Sequence, residues 1–222
     1  MNALCKKFAY WLVVLLILFW GHFQVNPAFG SEVESNGQKE FFTKGGMDIQ
    51  LVSGSLFSSK IFASGVPATN SWQNNLRLGW ILNNTSPKEL FLRGNFEALL
   101  EISHSLIYQG PGTYYGGITA LIRYNFVPPD SKWMPYIQAG VGIVHTNAYK
   151  DNSQDAIGQA IEFTPQASLG FRYFFKEKWS VDFEGIFHHI SNANLSDRNV
   201  GLNSFGGFIG VSYLFDRSGI SR

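Results

Sequence analysis

Between residues 47 and 215, apolar and polar side chains alternate with period two in eight separate segments. Leu76, Leu78 and Trp80 alternate with Asn75, Arg77 and Gly79, and Ile118, Ala120 and Ile122 with Thr119, Leu121 and Arg123. Farther on, Ala167, Leu169, Phe171 and Tyr173 alternate with Gln166, Ser168, Gly170 and Arg172, and Ile209, Val211, Tyr213 and Phe215 with Gly210, Ser212 and Leu214. Successive side chains on a strand point to opposite faces, so each segment carries one apolar and one polar face. The 3.6-residue period of an amphipathic helix hardly occurs. These segments predict an all-β chain of eight antiparallel strands, the first near Met47–Phe57.

The connections also alternate in length. Short turns are expected at Asn83–Lys88, Val127–Lys132 and Lys176–Lys178, and longer loops at Ser58–Ser71, Ser105–Thr113, Asn147–Ala160 and Ala193–Leu202. Short turns at one end and long loops at the other describe an outer-membrane barrel. A soluble ligand-binding barrel has the opposite faces, apolar inward and polar outward. Composition separates the two. Only 15% of residues are charged while 16% are aromatic, with 23 glycines. The polar face carries Arg93, Glu97, Glu101, Arg123, Arg172, Asp182 and Glu184 among small residues, which suits a narrow interior of paired charges. The apolar face is rich in Leu, Phe, Tyr and Trp, as a lipid-facing wall should be. An eight-stranded barrel fills its interior with side chains, so a porin is excluded and function is expected on the wall or in the loops. A net charge of +1 lacks the basic footprint of a nucleic-acid binder.

Lys6 and Lys7 precede an apolar run from Phe8 to Trp20, shorter than the ~20 residues a spanning helix needs and typical of a secretory signal. Ala28 and Gly30 supply the small residues of a cleavage site before Ser31. Residues 1–30 therefore read as a signal peptide and 31–222 as the barrel domain. Cys5 lies ahead of the apolar run, where it is not a lipidation site, and no other cysteine occurs. Thiol and disulfide chemistry are thus outside the expected mature chain.

One segment breaks the apolar wall. In Phe187-His188-His189-Ile190-Ser191-Asn192-Ala193, His189 and Ser191 share the parity of Val181, Phe183 and Phe187. Both are expected to face lipid, where polar groups are costly and mark function. If the last strand runs inward to the periplasm, the loop after Ser191 is extracellular and the pair lies in the outer leaflet. A serine beside a histidine is the minimal apparatus of acyl transfer.

The string His189-Ile190-Ser191-Asn192-Ala193, followed by Asn199-Val200-Gly201-Leu202 and a terminal strand, resembles the lipid A 3-O-deacylase (PagL-type) family of eight-stranded outer-membrane barrels. The resemblance implies an esterase acting on the 3-linked acyl chain of lipid A, with Ser191 as nucleophile and His189 as general base. It also implies lipopolysaccharide and outer-membrane lipids as partners and no cofactor or metal; a homodimer is compatible with it. The family's glutamate falls at Asn203, which shares the outward parity of Phe205 and Ile209. Its side-chain oxygen can accept the imidazole N–H and orient the ring, without the charge that steadies an imidazolium. Asp197 is the nearest loop carboxylate. Asn192, Asn199 and Gly201 are the expected oxyanion and supporting residues, and Arg198 is a candidate for a lipid A phosphate. Glu97 and Glu101 read as interior ion-pair partners, and His104 and His145 as isolated histidines.

Overall fold

The structure, a computed structural model, describes residues 42–58, 66–86, 92–129 and 131–215; the expected signal peptide lies outside them. Eight strands follow in order: β1 (Met47–Ser58), β2 (Asn70–Ile81), β3 (Gly94–Gln109), β4 (Tyr114–Phe126), β5 (Trp133–Thr146), β6 (Ile161–Lys176), β7 (Trp179–Ile190) and β8 (Leu202–Phe215). Each pairs antiparallel with the next, and β1 pairs with β8 to close the barrel. Closure removes the unpaired edges that an open sheet would present.

Alternation is visible in the burial of every strand: on β2, Ser71, Gln73, Asn75 and Arg77 are buried while Trp72, Leu76 and Trp80 are exposed. The buried polar face is a lattice of charges. Arg77 donates to Glu101 at 2.6 Å and to both oxygens of Glu184 at 2.6 and 3.0 Å. Arg172 lies 2.7 Å from Asp48 and 3.2 Å from Asp182. Arg123 donates to Gln138 and Gln50 and sits 3.5 Å from Glu97. Glu97 and Glu101 are therefore the interior ion-pair partners expected of them.

Both ends are stoppered by apolar side chains. At the end bearing the short turns, Phe42 packs edge-on against Phe174 beside Ile81, Val127 and Met134. At the other end, Ala156 and Ile157 of the 147–160 loop pack on Ile190, Leu202 and Phe208. Exposed apolar residues occur on all eight strands, so among the described residues no single patch stands out as a homodimer face. Aromatic pairs concentrate near the short-turn end, among them Phe96–Tyr124, Trp133–Tyr173 and Trp179–Tyr213, as in an interfacial girdle.

Strand limits differ from expectation mostly at the long-loop end. Ser105–Thr113 is not a loop: β3 runs to Gln109 and only Gly110–Thr113 connect it to β4. Ser103 and Ser105 face inward and are buried, so alternation persists there with small polar residues in place of charges. Gly110 and Gly112 supply the positive φ values, 108° and 80°, that so tight a connection needs.

Candidate active site

The end of β7 and the start of β8 bring the predicted residues together. His189 and Asn203 are direct cross-strand partners, and Nδ1 of His189 lies 2.7 Å from Oδ1 of Asn203. The amide oxygen can only accept, so in this arrangement Nδ1 is the donor, the tautomer that leaves the Nε2 lone pair for chemistry. Asn203 is buried while His189 is half-exposed on the outer wall. Gly201 explains how the ring fits. It has φ +77°, and a Cβ there would come within 2.8 Å of Cε1 and 3.4 Å of Nε2 of His189. A side chain at 201 would occupy the edge of the ring that does the chemistry.

Ser191 continues the outward parity of β7 by one step. Its backbone is tied to Phe163 of β6 by two hydrogen bonds, 2.8 and 3.1 Å. Among the described residues the ring of His189 is hydrogen-bonded to Asn203 and not to Ser191; such contacts often tighten only when substrate arrives. Ser191 and Ala193 line an open groove of about 630 Å³ on the outer wall, walled by Leu100, Ile118, Val141, Ile143 and Phe163.

The turn after Ser191 is strained. Ala193 and Asn194 have φ values of 52° and 64°, and Leu195 N–H returns to the Asn192 carbonyl at 3.0 Å. This is a two-residue left-handed turn with a side chain at both central positions, a conformation that costs about 1–2 kcal/mol per non-glycine residue. Asn192, Asn199 and Gly201 frame it. Asn192 N–H donates to Asn199 Oδ1 at 2.7 Å, Asn192 Nδ2 to the Arg198 carbonyl at 2.9 Å, and Asn199 Nδ2 to Asn194 Oδ1 at 2.8 Å. Gly201 N–H donates to the Ala156 carbonyl at 3.0 Å. These groups hold the loop, and the N–H groups of Asn192 and Gly201 are already committed to protein acceptors.

Arg198 differs from expectation. Its guanidinium donates to the carbonyls of Tyr149, Asp151 and Gln154 at 2.7, 2.7 and 3.1 Å, so three of its five N–H groups clasp the 147–160 loop. Asp151 in that loop has its carboxyl held below the usual range by the hydroxyl and N–H of Ser153. Asp197 is exposed in the loop and makes no described bond to His189. Among the described residues, no group of three His, Cys, Asp or Glu could hold a metal ion.

Sequence reasoning missed one association. Tyr114 and His145 stack on the outer wall with centroids 5.8 Å apart, and the tyrosine hydroxyl meets Nδ1 of His145 at 3.1 Å. The two belong to different strands, so sequence spacing gives no sign of the pair.

An eight-stranded barrel with an apolar outer wall, a packed charged interior and a polar cluster on that wall defines an outer-membrane protein of the small-barrel class. Several solved structures share the fold, among them two matched over nearly the whole of their own length. One is the outer membrane enzyme PagL (19% identity, TM-score 0.51, covering 73% of this chain and 97% of that one). The other is Neisserial surface protein A, NspA (14% identity, TM-score 0.55, covering 78% and 100%). No curated protein matches the chain in sequence. The family pattern of the lipid A 3-O-deacylases (PagL) matches residues 74–212, more than half of the chain. The chain belongs to that family, and its place is the bacterial outer membrane.

Proposed function

We propose that the chain is an outer-membrane esterase that removes the 3-O-linked acyl chain of lipid A, with its site in the outer leaflet. On this reading residues 1–30 are the export signal. The observation that carries it is the 2.7 Å bond between His189 Nδ1 and Asn203 Oδ1, on a lipid-facing wall beside the groove that contains Ser191. Family membership supplies the substrate class.

Nε2 of His189 takes the Oγ proton of Ser191 as Oγ attacks the ester carbonyl. The developing oxyanion needs donors fixed in advance. The N–H groups of Ala193 and Asn194 are our candidates, because a two-residue turn uses neither for its own closing bond. Collapse of the tetrahedral adduct expels the sugar oxygen, which takes the proton back from His189. Water then adds to the acyl-serine by the same route, releasing a 3-hydroxy fatty acid and restoring Ser191. The groove beside Ser191 accepts the acyl chain by its apolar character.

Mass spectrometry of lipid A from cells with and without the protein tests this. Loss of one 3-hydroxyacyl chain is expected, and the Ser191→Ala and His189→Ala variants should leave lipid A intact. An unchanged acylation pattern with the unaltered protein refutes the proposal. The amide at position 203 favours a second reading, a barrel that has kept the site and lost turnover. Failure of Ser191 to react with serine-directed ester analogues would select it.

A further inference from the structure

The row of outward residues that runs through the nucleophile is apolar across six strands. Cross-strand pairing links Leu51, Leu76, Ile102, Ile118, Ile143 and Phe163, and the row ends at Ser191. The next outward row toward the long loops is different. It runs Ser53, Asn74, His104, Gly116, His145, and returns to an apolar residue only at Ile161. A wall built to meet hydrocarbon thus becomes polar one step beyond Ser191, about 7 Å along the strands. An ester joining an acyl chain to a sugar has the same step, with apolar matter on one side and headgroup on the other.

Within the polar row, Ser53 and Asn74 satisfy each other at 2.7 Å. His104 and His145 are exposed and flank Gly116. A Cβ at Gly116 would lie 2.8 Å from the Ser103 carbonyl oxygen, so the notch between the two imidazoles stays bare. Tyr114, two residues beyond Gly116 and so on the same face, engages Nδ1 of His145. When its hydroxyl donates, the ring proton sits on Nε2, a donor directed away from the tyrosine. His145 stands two strands from Ser191 and one row up, roughly 12 Å away between backbones, of which the imidazole side chain itself covers several ångström toward a sugar held at Ser191.

We propose that His104, Tyr114 and His145 form a subsite for a phosphate on the glucosamine headgroup of the substrate. This rests on the esterase reading above. Arg198 is less suited to that role, because three of its five N–H donors, both on Nη1 among them, hold the 147–160 loop. Polar side chains on a lipid-facing wall are costly unless a polar partner meets them, and an anionic headgroup is such a partner.

The test compares a diacylated glucosamine 1-phosphate with its dephosphorylated counterpart, using the full chain folded in detergent micelles. The wild type should prefer the phosphorylated lipid in kcat/KM. The double variant His104→Leu, His145→Leu should lower that preference about tenfold, the worth of one charge-assisted hydrogen bond. His145→Gln, which keeps an N–H donor, should fall between them and serves if the double variant does not fold. An unchanged preference overturns the proposal. If the wild type cleaves neither lipid, the esterase reading fails, and the Kd for the phosphorylated lipid decides the subsite. A Kd raised about tenfold in the double variant supports it, and an equal Kd overturns it. Inorganic phosphate competing as well as the phosphorylated lipid would mark a free-anion site and also overturns the headgroup assignment.

Discussion

Replacing Asn203 by Asp changes charge and little else at the His189 partner. The side chains are the same length, so the 2.7 Å contact with Nδ1 survives and a carboxylate oxygen takes the place of the amide oxygen. Two effects follow. A carboxylate has no N–H to offer, so it removes the flipped-amide arrangement in which the histidine proton sits on the wrong nitrogen. It also places a negative charge about 4 Å from the centre of the imidazolium that forms during attack. Coulomb's law gives that pair about 1 kcal/mol in water and about 4 kcal/mol at an effective dielectric of 20. Asn203 is buried and His189 half-exposed, so the site lies between these limits. At 1.36 kcal/mol per tenfold, the expected gain in rate is between about fivefold and a thousandfold. The factor of ~10⁴ lost when a protease acid becomes its amide is the ceiling. The assay is release of 3-hydroxy fatty acid from micellar lipid A, well above the carboxylate range of pH, with Ser191→Ala in the same background as control. Folding is checked by the shifted electrophoretic mobility of an unheated barrel. A folded Asn203→Asp protein that is no faster than its parent refutes the idea that missing charge limits this site.

Other substitutions test the supporting structure. Gly201→Ala puts a methyl 2.8 Å from Cε1 of His189 at a φ of +77°; displacing the ring should cost about 100-fold in turnover and about 1 kcal/mol in stability, read by lipid A hydrolysis and urea unfolding. Arg77→Met strands Glu101 and Glu184 without their cation, at a cost of about 3–5 kcal/mol in unfolding free energy, and adding Glu101→Gln and Glu184→Gln should recover most of it. Arg198→Ala removes three hydrogen bonds to loop carbonyls, so the 147–160 loop should become a protease cut site while the urea midpoint of the barrel barely moves.

The wall and the interior were legible in the sequence because period two sorts side chains between faces whatever the curvature of the sheet. That is why the sequence alone assigns Glu97, Arg123 and Arg172 to the interior and His189, Ser191 and Asn203 to the outer wall. Alternation does not pair strands, so the meeting of Tyr114 with His145 and the polar row through His104 appear only with the register. Loops were the least legible. Arg198 reads as a free basic residue until the fold brings the carbonyls of Tyr149, Asp151 and Gln154 beneath it. Phe42 precedes the first strand and has no periodic neighbour to announce it as a stopper.

The charge lattice inside the barrel also bears on how such a chain can enter a membrane at all. Arg77 on β2 bonds to Glu184 on β7, 107 residues later, and Arg172 on β6 reaches Asp48 on β1. A β1–β2 hairpin inserted alone would carry Asp48 and Arg77 into hydrocarbon with Arg172, Glu101 and Glu184 still outside, and each bare charge there costs several kcal/mol. Stepwise threading, strand pair by strand pair, is therefore uphill until β6 and β7 arrive. The ion pairs that make the finished barrel solid require that β1 and β2 meet β6 and β7 before, or as, the protein crosses into lipid.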